Sequence, residues 1–221
     1  SEGQRRRLEE RAAAQRGSDR SYAERMRPER DFDGLRTQLG DQAPARPGWI
    51  RVRTDAAPTA DALADLDDLP MFARGSVALL EVDRGFVQLS LDEARTALRE
   101  WARVLAPGGE LFLELPELWA CVRTIGRRRD GTGEDAGLCG LFGRPDEVRD
   151  RGPERAHKWA WSRASLTEEL AAAGFEGVEF GPSLHTTSGD GIEIRVRACA
   201  PRPASSAPPT RPSTSRCSGA C

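Results

Sequence analysis

The chain has 221 residues, 38% of them hydrophobic and 6% aromatic, enough for one domain of ordinary size with a buried core. Lys+Arg 33 nearly cancel Asp+Glu 35, for a net charge of -2, which argues against nucleic acid as the main partner because phosphate binding needs a net basic surface. No apolar run is long enough to span a bilayer, and the five cysteines, Cys121, Cys139, Cys199, Cys217 and Cys221, fit neither a disulfide framework nor a zinc site.

Residues 1–36 form the first zone, highly charged, with sparse apolar points at Leu8, Ala12, Tyr22, Met26, Phe32 and Leu35. The pattern predicts one or two surface helices interrupted near Gly17 and Pro28. The stretch lacks the apolar core of a signal peptide, and free thiols suit a reducing compartment, so the expected location is the cytoplasm. Lys158 is the single lysine, so the basic count is almost entirely arginine. That skew reads as coding bias rather than as a basic site.

Residues 37–200 alternate strand and helix signals. Trp49-Ile50-Arg51-Val52 and Ser76 to Val82 read as strands, the second fully buried. Ser90 and Glu93 form a capping box, followed by Leu91, Ala94, Leu98, Trp101 and Leu105 on one helical face. Pro107-Gly108-Gly109 is expected to break that helix and turn the chain into a strand from Glu110 to Pro116. Ser165 with Glu168 is read as a second capping box, and Gly174 as the stop of that helix. Val178 to Phe180 and Ile192 to Val196 end the zone as two consecutive strands. The alternation predicts an α/β domain with a mostly parallel sheet and an antiparallel C-terminal hairpin. Residues 201–221, rich in Pro, Ser and Thr, have almost nothing to bury and are expected to be disordered.

Four blocks then resemble one family in the right order. Ala97 to Gly109 resembles the "LrE-x-x-RVLkPGG" helix-turn-strand of class I S-adenosylmethionine-dependent methyltransferases. Pro47-Gly48-Trp49-Ile50 resembles the second strand of a bacterial subgroup linked to glycan and natural-product pathways, Asp65 to Pro70 its "D-L-x-x-L-P" loop, and His157-Lys158-Trp159-Ala160-Trp161 its "H-k-w-x-y" segment. The resemblance implies a Rossmann-like fold. It sets Gly40, Asp55, Asp65, Leu66 and Val82 against the cofactor.

The same alignment shows departures where the cofactor would sit. The first loop expects two glycines for close backbone approach, but Gln38-Leu39-Gly40-Asp41-Gln42 retains one, and Asp41 places a carboxylate near the cofactor's own. The second strand should end in an acid that accepts the ribose hydroxyls. Arg53 stands there, which cannot accept, with Asp55 two residues on. In the fourth-strand region Ala78, Arg84 and Gln88 replace an Asp and two histidines. The expectation is weak or absent S-adenosylmethionine binding, in a repurposed biosynthetic enzyme or a non-catalytic partner subunit. The alternative is an active methyltransferase on a small-molecule or sugar acceptor.

If the pocket is used, methyl transfer needs little beyond positioning and a general base. Asp83 and His157 are the candidate bases, and His185 falls in a polar loop. Trp159 and Trp161 would wall the acceptor site, and Arg84 would hold a ligand anion. By the resemblance, Asp83, Arg84, His157 and Trp159 converge on one crevice. A small-molecule substrate or a partner protein is expected, an oligomer is compatible, and no metal, nucleic acid or membrane partner is implied.

Overall fold

The computed structural model describes residues 34–40, 46–54, 60–127, 134–183 and 191–202. Expectations for residues 1–33, for Asp41, Gln42, Asp55 and His185, for 128–133 and for the tail beyond 202 fall outside these residues.

Seven strands form one sheet: β1 (Leu35–Leu39), β2 (Trp49–Arg53), β3 (Ala62–Leu63), β4 (Val77–Asp83), β5 (Leu105–Pro116), β6 (Glu176–Pro182) and β7 (Glu193–Cys199). Their order is β3-β2-β1-β4-β5-β7-β6. Strands β3 to β5 are mutually parallel, and β7 pairs antiparallel with both β5 and β6. The expected mixed sheet is therefore present, with its C-terminal hairpin folded so that the last strand lies inside the sheet.

Five helices are described: α1 (Leu91–Val104), α2 (Leu118–Thr124), α3 (Ala136–Phe142), α4 (Pro145–Arg151) and α5 (Arg163–Ala172). The Ser90 and Glu93 box caps α1 as expected, with Ser90 N–H donating to Glu93 Oε2 at 2.7 Å. Helix α5 starts earlier than its sequence suggests. Ser162 is its cap, and Ser165 is the third helical residue that answers it. The Ser165 and Glu168 pair is thus a box by spacing only, because Ser162 presents a hydroxyl one turn earlier. Gly174 does end the helix, at φ 91°. Pro107-Gly108-Gly109 is not a free turn. β5 begins at Leu105, directly after α1, and the three residues form a bulge where the pairing jumps from Val77 with Leu105 to Leu79 with Glu110.

The strand alternation gives the sheet two unlike faces. Leu39, Leu80, Val82, Leu111, Leu113, Ile194 and Val196 share one face with α1 and α5, whose Leu98, Trp101, Leu166 and Leu170 complete the apolar core. Trp101 Nε1 donates to Leu66 O at 2.8 Å, which ties the loop after β3 to α1. The opposite face carries Gln38, Glu81, Glu110, Glu114, Arg195 and Arg197, with a small cluster of Trp49, Leu79 and Phe112. Arg195 is 0% exposed. It donates to Glu114 Oε1 at 2.7 Å and to Glu81 Oε1 at 3.0 Å, and lies 4.8 Å from the Phe112 ring centre.

Connections on the β1–β3 side are short. Residues 40–48, nine in all, link β1 to β2, and residues 54–61, eight in all, link β2 to β3. A helical crossover between parallel strands takes a dozen residues or more.

Two outcomes test these assignments. Arg195→Ala leaves Glu114 buried without the guanidinium it pairs with and Glu81 with Arg46 alone, and should cost about 3–5 kcal/mol in urea unfolding. Ser162→Ala should cost about 1 kcal/mol, and Ser165→Ala, at a non-cap position, distinctly less.

Candidate functional site

The strand order reverses between β1 and β4, and in open α/β sheets a ligand crevice forms beyond the C-terminal strand ends at such a point. A crevice is present there. It has a cavity volume of about 20 Å³, room for about one water molecule, and is lined by Gly40, Thr54, Leu66, Asp83, Arg84, Gly85, Gln88 and Arg155.

Each wall has a local cause. Gly40 ends β1 at φ 124°, and a Cβ there would lie 2.7 Å from the Asp83 carbonyl, so the crossing of β1 over the end of β4 itself requires glycine. Arg84 follows β4 at φ 52°, the one described non-glycine residue with positive φ. This left-handed conformation is costly for a side chain with a Cβ and turns the chain sharply into the 3₁₀ turn Gly85–Gln88. Leu66 packs against Gly85 so closely that a Cβ on Gly85 would lie 2.7 Å from Leu66 Cδ1. Arg155 arrives from the 3₁₀ turn Pro153–Arg155.

The electrostatics are mixed. Arg84 Nη2 lies 3.3 Å from Glu193 Oε1, and Arg84 Nε lies 3.9 Å from Asp83 Oδ1. The Arg84 backbone N–H donates to Glu114 O at 3.3 Å. Two guanidiniums and one carboxylate line the crevice among the described residues.

The structure therefore brings together Gly40, Leu66, Asp83 and Arg84 of the residues expected to form the site. It places the other described ones elsewhere. Val82 points into the apolar core, 1% exposed. Asp65 is exposed, and its carbonyl accepts from Asp68 N–H at 3.3 Å. Trp161 is fully buried and stacks on Phe86, with ring centres 5.1 Å apart and planes at 18°. It is thus a core residue rather than an acceptor wall, since Phe86 and Trp101 already cover it. Trp159 meets Trp161 edge-on at 6.4 Å and is exposed on its other side.

His157 does not line the crevice. Its Nδ1 lies 2.9 Å from Gly140 O, and its backbone N–H donates to Phe142 O at 3.2 Å. A carbonyl can only accept, so Nδ1 carries the proton. Burial holds the imidazole below its ordinary pKa; the bond to Gly140 and the Glu147 charge oppose that, and Arg84 adds to it. Cys121 is equally removed from chemistry, because burial pushes its thiol up to about 12.

Arg155, Gly85 and Gln88 were not singled out as wall residues by sequence. Gln88 and Gly85 follow from the turn that Arg84 makes. Arg155 lies about seventy residues from β4, and only the packing of the α4 region brings it in.

No protein-family model matches the sequence, and no curated protein matches it. Solved structures do resemble the fold. An S-adenosylmethionine-dependent methyltransferase from Mesorhizobium loti is 17% identical, with a TM-score of 0.50 over 80% of this chain and 94% of that one. A SAM-dependent methyltransferase from Thermotoga maritima is 14% identical, with a TM-score of 0.50 over 77% of this chain and 84% of that one. The chain spans about half, 49%, of the CurJ carbon methyltransferase, at 14% identity, 76% coverage of this chain and a TM-score of 0.48. With the strand order and the mixed C-terminal edge already described, these likenesses give the chain the fold of class I S-adenosylmethionine-dependent methyltransferases.

Proposed function

We propose that this is a methyltransferase-fold protein that does not transfer methyl groups, acting as a repurposed enzyme on another polar small molecule or as the non-catalytic subunit of a partner. The observation that carries this reading is the charge at the strand ends. Arg53 closes β2, where a ribose would need an acceptor, and Arg84 and Arg155 line the crevice, where a sulfonium would meet two cations. The described residues do not fit S-adenosylmethionine. The β1–β2 connection of nine residues is shorter than the dozen or more usual for a helical crossover between parallel strands.

The alternative, an active methyltransferase on a small-molecule or sugar acceptor, is favoured by the fold and by Gly40. The close approach of Asp83 O accounts for that glycine without a ligand, so the first reading stands. On that reading Asp83 and Arg84 are the groups available to a substrate, one to accept and one to donate.

Calorimetric titration separates the two. S-adenosylmethionine and S-adenosylhomocysteine should each bind no more tightly than about 1 mM. Micromolar binding, or cofactor retained through purification, would make the protein a methyltransferase.

His157 has its own signature. The unfolded imidazole takes up a proton near its ordinary value of about 6.5, whereas the buried one resists until lower pH. Its contribution to stability is therefore complete above about 6.5 and is lost as pH falls from there through the lowered folded value. His157→Asn keeps a donor for Gly140 O but cannot titrate. Melting curves from pH 7.5 to 5 should fall more steeply for the native chain than for this variant; parallel curves would place the imidazole in ordinary solvent.

A further inference from the structure

The segment between β5 and α5 is built with its amphipathicity reversed. Helices α2 and α3 pack against each other through small residues. A Cβ on Gly137 would lie 2.4 Å from Cys121 O, and one on Gly140 would lie 2.5 Å from Cys121 Sγ. The buried residues of this pair are Cys121 on one side and Ala136, Gly137 and Gly140 on the other. The large apolar residues face outward instead: Trp119 is 56% exposed and Phe142 64%, with Val122, Ile125 and Leu138 between about two-fifths and one-half exposed. Neither helix contributes a residue to either core cluster. A helix in a monomer places its large apolar residues toward the core, so a helix pair that does the opposite marks an interaction surface.

We propose that the outer face of α2 and α3 is the interface of a homodimer, with a second copy of this chain as its occupant. Two observations select a second copy. The first is charge. Beside the face in sequence stand exposed or half-exposed charges of both signs, Arg123 on α2 and the Arg144–Asp146 pair, 3.3 Å apart, just after α3. A two-fold axis sets such a border against itself, which a balanced rim permits and a rim of one sign forbids. The second is area. Five large side chains at these exposures present about 500 Å² of apolar surface per copy, so pairing removes about 1,000 Å², the floor for a specific interface. The two aromatic residues at the greatest exposure, Trp119 and Phe142, are the type that anchors such contacts. The proposal is independent of what occupies the crevice.

Sedimentation equilibrium of the full chain tests it, from micromolar concentration upward, at low and high salt. The 24.2 kDa chain should convert to twice that mass, with little sensitivity to salt because the contact is apolar. Trp119→Ser and Phe142→Asp should each weaken association by at least about thirty-fold. Their far-ultraviolet dichroism should be unchanged, since both side chains are exposed. Leu138→Glu serves as a third variant should either of these unfold. A chain that stays monomeric at every concentration would overturn the proposal and assign the face to a different protein. A dimer that persists in all three variants would also overturn it, by placing the contact elsewhere.

Discussion

A guanidinium with no exposure to solvent holds the far face of the sheet together. Arg195 on β7 reaches Glu114 on β5 and Glu81 on β4, so one side chain ties the antiparallel edge to the parallel half. Neither carboxylate could be buried alone, because an unpaired charge in the interior costs several kcal/mol. Arg197 and Glu110 repeat the pairing one pleat away. This face is specified by charge geometry, and the opposite one by apolar volume. The two faces meet at the end of β4, where Glu114 pairs in register with Asp83 and receives the Arg84 backbone N–H. The crevice is thus anchored to the main-chain carbonyl of the residue whose carboxylate holds Arg195.

Short connections explain why the crevice differs from that of a doubly wound nucleotide site. Such a site relies on a crossover helix after the first strand, whose free N–H groups receive an anion. Here nine residues separate β1 from β2. What remains at the switch point is a strained Arg84, an apolar plug from Leu66 and a second arginine from the α4 region. α1, α5 and the β4–β5–β7 core keep a full apolar layer, and the changes are concentrated at the strand ends.

The elements legible in the sequence were those with a long period or a local cap. α1 has fourteen residues, a reciprocal Ser90 and Glu93 box, and one continuous apolar stripe, so local chemistry alone defines it. The strands β4, β5 and β7 were equally plain, as apolar runs bounded by glycine or proline. Helices α2, α3 and α4 were not legible. Each has seven residues, too few for a helical period to show, and α3 carries two glycines that disfavour a helix in isolation. α2 and α3 exist because Glu117 and Asp135 cap them and because Gly137 and Gly140 admit neighbouring atoms, and α4 starts at Pro145 without a side-chain cap.

Of the candidate site, sequence order placed Gly40, Leu66, Asp83 and Arg84, since each lies within a few residues of a strand end and strand ends define the crevice. The sequence by itself determined the fold class, the arginine at the end of β2 and the α1 to β5 unit. Only the tertiary structure decided where the aromatic and imidazole groups went. Trp161 and His157 belong to a segment with no regular period, so their directions depend on what packs around them: Phe86 for one and the Gly140 carbonyl for the other. A stacked ring and a carbonyl bond each act over a few ångströms between residues far apart in the chain, and such contacts leave no trace in local spacing.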